Sequence, residues 1–184
     1  MDIVRIKLLS IALLMVLFMG SSHYASAATE EELERDSREA LQELVAIQPV
    51  AADLSEAAVA ILVFPEIVQA GFVFGGSYGE GVMMKDSMVI DYYNSVSGSW
   101  GLQFGAQSYG YAVFLMTSEA VDYIEETQGW EVGVGPTVVL VDEGMAQNIS
   151  TTSIQQDAYA FIFSQQGLMA GITFEGTKIS RINP

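Results

Sequence analysis

SGSWGLQFGAQSYGYAVFLMT, residues Ser97 to Thr117, is the stretch around which the chain is organised. Its first part alternates. Trp100, Leu102, Phe104 and Ala106 fall on one side of an extended strand, and Gly101, Gln103, Gly105 and Gln107 on the other. Glycine weakens a strand by roughly 0.5–1 kcal/mol relative to alanine, so repeated glycines need a reason. Strong curvature, a bulge, or the close approach of another backbone or a ligand would each supply one. The stretch ends in Val113-Phe114-Leu115-Met116, a continuous apolar run that suits a strand buried on both faces. Gly71–Met84 and Glu131–Val141 repeat the glycine theme. All three segments are expected in one curved, antiparallel sheet.

At 184 residues the chain is long enough for one domain with a real core, and 51% hydrophobic residues exclude disorder for most of it. There is no cysteine, so disulfides, thiolate metal sites and a thiol nucleophile are excluded. Arg5 and Lys7 precede a twelve-residue apolar run from Leu8 to Met19, and Ala25-Ser26-Ala27 follows. This pattern predicts a secretory signal peptide over 1–27, cut after Ala27, and a single domain over 28–184. The run is short for a spanning helix, which needs about 20 residues. His23, the one histidine, lies in the segment that leaves. The mature chain would carry Arg35, Arg38, Lys85, Lys178 and Arg181 against 22 acidic residues, a formal charge of −17. Such a domain repels nucleic acid and strongly anionic membranes unless its few cations cluster.

Thr29 with Glu32 reads as a capping box. Leu33, Ser37, Ala40, Leu41, Leu44 and Val45 then recur at helical spacing, which predicts an amphipathic helix to about Gln48, ended by Pro49 and docked on the sheet. Asp53 to Ala60 reads as a second helix. Ile61 to Phe64 reads as a short strand ended by Pro65, and Glu66 to Ala70 as one helical turn. Lys85-Asp86-Ser87 is a turn signal before a returning strand over Met88 to Tyr93. Asn94 to Ser99 reads as a polar loop. Ser118 is the expected N-cap of a helix to Thr127, and Glu131 to Val141 the next strand. Ala158–Phe163 and Leu168–Phe174 read as a hairpin turning at Ser164–Gly167, with a last strand over Lys178–Ile182.

Gly75-Gly76-Ser77-Tyr78-Gly79 matches the G-x-S-x-G of a hydrolase nucleophile elbow. The elbow requires a helix after the serine and a histidine downstream. Gly81–Met84 reads as strand and no histidine follows, so a glycine-rich turn or bulge is the better account. Neither phosphate-loop pattern fits these glycines. The carboxylates follow no Asp-x-Asp-x-Asp-Gly calcium loop, and Glu125-Glu126 and Asp142-Glu143 sit where solvated turns and helix faces carry charge. An acid/base enzyme would need two carboxyl groups facing each other across a cleft. The tyrosines and tryptophans Tyr78, Tyr92, Tyr93, Tyr109, Tyr111, Trp100 and Trp130 read as core and rim, or as walls of an apolar groove where glycines stand opposite.

Several motifs together resemble the SYLF-domain family. They are Ile61-Leu62-Val63-Phe64-Pro65 with Ala70-Gly71-Phe72, Gly75-Gly76-x-Tyr78-Gly79-Glu80-Gly81, Gly101-Leu102-Gln103-Phe104-Gly105-Ala106-Gln107, Phe114-Leu115-Met116-Thr117 and Gly129-Trp130-Glu131-Val132-Gly133. The ending, Gly167–Gly171 with Phe174–Ile179, is similar to the bacterial, exported branch. The resemblance covers roughly Leu33 to Ile182. It implies lipid binding and brings no catalytic residues; no metal and no cofactor are expected. Eukaryotic members bind phosphoinositides and some associate with actin, whereas bacterial members resemble envelope proteins. Phosphoinositide binding in the family relies on basic residues around the N-terminal helix, and here Thr29 to Gln48 is acid-rich.

The expected fold is therefore α+β: a curved antiparallel sheet or partial β-barrel with a packed N-terminal helix and short additional helices. The expected function is non-enzymatic lipid binding in the bacterial cell envelope, in the periplasm or at the outer membrane. The alternative is a structural or protein-interaction module with an envelope protein partner. Candidate lipid-binding residues are Arg35, Arg38, Lys85, Lys178 and Arg181 for a headgroup, and Trp100 and Phe104 for an apolar chain.

Overall fold

The computed structural model describes residues 29–71, 74–100, 105–127, 129–141, 155–167 and 176–183. The leader read over 1–27, Phe104 and the strand read over Leu168–Phe174 lie outside the described residues. Three helices and eight strands are present among the described residues: α1 (Glu30–Ile47), α2 (Pro49–Ala57), β1 (Ala60–Gly71), β2 (Phe74–Lys85), β3 (Met88–Trp100), β4 (Gly105–Leu115), α3 (Ser118–Glu126), β5 (Trp130–Glu131), β6 (Val138–Leu140), β7 (Ala158–Gly167) and β8 (Thr177–Ile182). The strands form one sheet in the order β5-β8-β3-β2-β1-β4-β7-β6. Every pairing is antiparallel except β6 with β7.

The connection between the edge strands forces this sheet to curl. A flat eight-stranded sheet would hold its edges about 34 Å apart at ~4.8 Å per strand. Glu131 on β5 and Val138 on β6 are seven residues apart, a reach of at most about 24 Å. The sheet bends into a half-barrel, as the α+β reading expects. One apolar cluster draws on strands from both sides of the sheet, Ala158 and Ala160 of β7 together with Ile179 of β8. This marks the concave face. Leu62, Phe64, Ile67, Met83, Tyr93 and Tyr111 line it, and α3 with Trp130 fills it. The convex face carries a second cluster in which Leu33 and Leu44 of α1 and Ala51 and Leu54 of α2 cover Ile61, Val63, Val82, Phe114 and Phe161.

Local signals hold where the chemistry is local. Thr29 Oγ1 accepts from the Glu32 amide, and the Glu32 carboxylate accepts from the Thr29 amide at 3.1 Å, closing the capping box. The bonds that the Thr29 amide and then its hydroxyl donate to the Glu32 carboxylate hold that carboxyl below its usual range. Asp86 and Ser87 both have positive φ, as a two-residue hairpin between β2 and β3 requires. The Arg38 guanidinium donates to Ser87 O at 2.6 Å and pins that turn to α1.

Other expectations are corrected. Pro49 ends α1 and also opens α2 at its first turn, where a missing amide costs nothing, so the second helix starts earlier than read. β1 runs straight through Pro65. Its register shifts between Phe64 and Ile67 against β4, and this bulge absorbs the residue that cannot donate. There is no helical turn over Glu66–Ala70. Residues Gly75–Gly79 lie inside β2, in neither a turn nor a bulge. Asn94–Ser99 is strand as well, paired with β2 and, in part, with β8. Trp100 ends β3 and Gly105 begins β4, with β2 and β1 between them, so the alternation across Trp100–Gln107 spans two strands. The Glu131–Val141 segment is divided by Gly133 and Gly135, both at positive φ, into β5 and β6. β7 continues through Ser164–Gly167 with a register shift against β4 near Ser164, in place of the expected hairpin turn. Thr117, one residue before Ser118, caps α3 by accepting from the Ala120 amide.

Candidate functional site

The helices leave part of the convex face bare. Strand pairing builds one row across it: Gln166 (β7), Ser108 (β4), Val68 (β1), Tyr78 (β2), Val96 (β3), Lys178 (β8) and Glu131 (β5). Alternation places the row on the α1 side of the sheet, since Val82 and Tyr92, further along β2 and β3, pack into the cluster under α1. Val68, Tyr78 and Val96 are 52%, 49% and 44% exposed. Three apolar side chains on adjacent strands thus face solvent, over a length to Lys178 of about 14 Å at ~4.8 Å per strand. The neighbouring row, Ala106, Ala70, Gly76 and Gly98, is small and exposed. Nothing lies within 4 Å of where a Gly98 Cβ would stand, so its own chain does not require a glycine there. The result is a low, apolar surface. Contiguous exposed apolar surface of this kind marks interaction sites.

The charged candidates are dispersed. Arg35 pairs with Asp36 at 2.8 Å and Arg38 with Glu34 at 3.2 Å, both on α1. Arg181 faces the concave side, opposite Tyr93, and pairs with Asp91 at 2.5 Å. Lys85 closes the β2–β3 hairpin near Arg38. Lys178 stands in the bare row. Trp100 lies four positions along β3 from Val96. The five cations therefore form no single cluster, and only Lys178 adjoins the apolar surface.

The concave face offers no groove at its central glycines. A Cβ on Gly79 would meet Ile67 Cδ1 at 2.5 Å, and one on Gly81 would meet Phe64 Cδ1 at 2.6 Å, so the bulged strand β1 fills that space. Toward the Gly71 end the concave face is polar. Gln107 donates to Gln69 at 3.0 Å, and the Ser77 and Ser97 hydroxyls share a 2.7 Å bond. Ser77 is thus a buried strand residue in a hydrogen-bonded floor, which removes the nucleophile-elbow reading. Small cavities walled by described residues lie elsewhere. One of about 280 Å³ sits between α1, α2 and the β2–β3 hairpin, with Arg38, Leu41, Ile61, Met84 and Asp86 in its wall. One of about 300 Å³ lies under the β5–β6 bridge, against Val132, Pro136, Val138 and Ala160. Both are at the lower end of ligand-pocket sizes. No group of three or more metal-ligating side chains occurs among the described residues, and no described helix is long and apolar enough to cross a membrane.

Residues 96–183 match a family model described as Ysc84, Las17-binding protein actin regulator. This stretch is similar to the Ysc84 family. The match supports the SYLF resemblance over just under half of the chain, and it is consistent with a binding role rather than catalysis. Val96, Ser108, Glu131, Gln166 and Lys178 of the bare row fall within the Ysc84-matched residues, whereas Val68 and Tyr78 precede them. No curated protein matches the chain.

Two tyrosines on this side of the sheet carry a testable electrostatic signature. The Tyr78 hydroxyl donates to the Glu80 carboxylate at 2.6 Å, which together with partial burial raises its pKa from 10.0 to about 12. Tyr92 is raised to about 12 by burial and by its bond to Glu34 at 2.9 Å. The folded state prefers the neutral phenols. Their stabilising contribution is therefore complete below pH 10 and is lost as pH rises through about 12. A spectroscopic titration of the tyrosinate band should show both groups ionising late, together with falling urea resistance in that window. Glu80→Gln should bring the Tyr78 step back toward 10.

Proposed function

We propose that this is a non-enzymatic lipid-binding protein of the bacterial cell envelope, exported by its leader-like segment, that lies on a membrane surface through the bare convex row. The observation that carries this reading is the contiguous exposure of Val68, Tyr78 and Val96 beside small residues, on a convex face where Ile61, Val63, Val82, Phe114 and Phe161 are instead covered by α1 and α2. Burying the exposed halves of these side chains contributes about 1 kcal/mol each. Three together give about 3 kcal/mol, or roughly a hundredfold in partitioning. The resemblance to a lipid-binding family supports the same reading. The alternative, a protein-interaction module of the envelope, draws support from the Ysc84 description, which names binding to a protein.

The test is flotation of the purified protein with phosphatidylcholine vesicles. Wild-type protein should float, and Val96→Asp, placing a charge in the middle of the row, should lower the floating fraction at least tenfold with an unchanged melting temperature. Wild-type protein left at the bottom of the gradient would turn the assignment toward the protein-interaction module.

A further inference from the structure

We infer that the bare row selects zwitterionic phospholipid headgroups, those with a phosphate and an ammonium, over anionic ones. The inference rests on the membrane-surface reading above and concerns which lipid that surface takes. Its basis is the juxtaposition at the β8–β5 end of the row. Lys178 and Glu131 are cross-strand partners on the convex face, immediately beyond Val96. Both are exposed. Opposed residues on paired strands have Cβ atoms about 5 Å apart, close enough for opposite charges to meet. Yet these two do not form an ion pair with each other, in contrast to Arg35, Arg38 and Arg181, each closed on a carboxylate. The Lys178 stem lies over Gly129, its Cε 2.6 Å from where a Gly129 Cβ would stand, so the missing side chain there is the space the lysine uses.

An ammonium and a carboxylate standing side by side at the edge of an apolar strip are complementary to a phosphate and an ammonium at the edge of an apolar layer. Lys178 faces the phosphate and Glu131 the ammonium. The rest of the molecule excludes the anionic alternative. The chain carries a formal charge of −16, and the Glu80 carboxylate, two positions along β2 from Tyr78, is held at the Tyr78 hydroxyl. An anionic bilayer would meet one lysine against this field, and the repulsion weakens as salt screens it over about 10 Å at 0.1 M. Salt should therefore act opposite to its effect on a basic headgroup site: adding it should relieve exclusion from anionic vesicles and leave zwitterionic binding unchanged.

The experiment is flotation of the full mature chain with phosphatidylcholine, phosphatidylglycerol and uncharged glycolipid vesicles, each at low and high salt. The wild type should float with phosphatidylcholine at both salt concentrations and at least tenfold less with phosphatidylglycerol at low salt. Lys178→Glu should lower phosphatidylcholine binding severalfold. Glu131→Lys should create phosphatidylglycerol binding that falls with salt, and melting curves would establish that both variants are folded. Equal binding of the wild type to all three vesicles, or charge variants that behave as wild type, would overturn the headgroup inference. In that event, loss of binding by Val96→Asp would show that the membrane-surface reading itself survives. Absence of wild-type binding to every vesicle would remove both, and would leave a basic protein as the occupant to seek.

Discussion

Trp130→Ala destabilises the domain by about 3–5 kcal/mol, the range for removing a large aromatic from a packed interior. Trp130 is fully buried and sits where β5 meets the concave core with α3. Its indole N–H donates to Val134 O at 3.1 Å, and the Val134 amide donates to Glu131 O at 2.9 Å. The tryptophan therefore anchors the start of the bridge that carries the chain from one sheet edge to the other. Truncation leaves a cavity in the half-barrel and a carbonyl without its donor. Urea unfolding followed by circular dichroism measures the loss, and the melting temperature should fall by about 10 °C. A loss below about 1 kcal/mol would mean that the seam is held elsewhere and that Trp130 does not anchor the bridge that curls the sheet.

Gly81→Ala and Gly98→Ala should have opposite signs although both add one methyl to a strand glycine. At Gly81 the methyl would run into the Val63 carbonyl and the Phe64 ring, whose Cδ1 and Cγ would be 2.6 and 2.9 Å away. Phe64 is fully buried and stacks on Tyr111 with centroids 4.5 Å apart, and Val63 is a backbone neighbour fixed on both sides by ladders. Neither can yield, so overpacking costs about 3 kcal/mol. At Gly98 the added methyl meets nothing, and replacing a strand glycine there raises stability by up to about 1 kcal/mol. Denaturant midpoints of the two variants against wild type decide the matter. Equal effects would remove the distinction between glycines required by packing and those left free at the bare surface.

The sequence disclosed features whose cause lies within a few residues. Thr29 with Glu32, and the turn at Asp86-Ser87, are local chemistry and appear in the structure as read. The amphipathic pattern of α1 located its docking face, with Leu33, Ser37 and Leu44 buried. Misreadings occurred where tertiary pairing overrides local character. Asn94–Ser99 looks like a loop because it is polar, but Ser95 and Ser97 face a concave side that is itself hydrogen-bonded, so polarity there is compatible with burial. Pro65 looks like a strand end, but a bulge supplies the one place in a central strand where proline fits. The candidate site was the least legible. Val68, Tyr78, Val96, Lys178 and Glu131 come from five strands, and no spacing within any one segment announces that register brings them into line. Of the cations expected to bind a headgroup, only Lys178 stands in that row, because the others are taken up by carboxylates on α1 and β3 or lie at the far hairpin.

The strand order has a consequence for how the molecule comes into being. β8, which follows the other seven described strands in chain order, lies between β3 and β5. A nascent chain that has not yet reached β8 can pair β1 with β2 and β4, but it cannot seat β5, because the strand that β5 must pair with does not yet exist. Closure of the half-barrel waits for contacts between residues more than eighty positions apart, such as Tyr93 with Arg181, and contacts of that range are the slow ones to form. The topology therefore holds the half-barrel open until β8 is available to bridge β3 and β5.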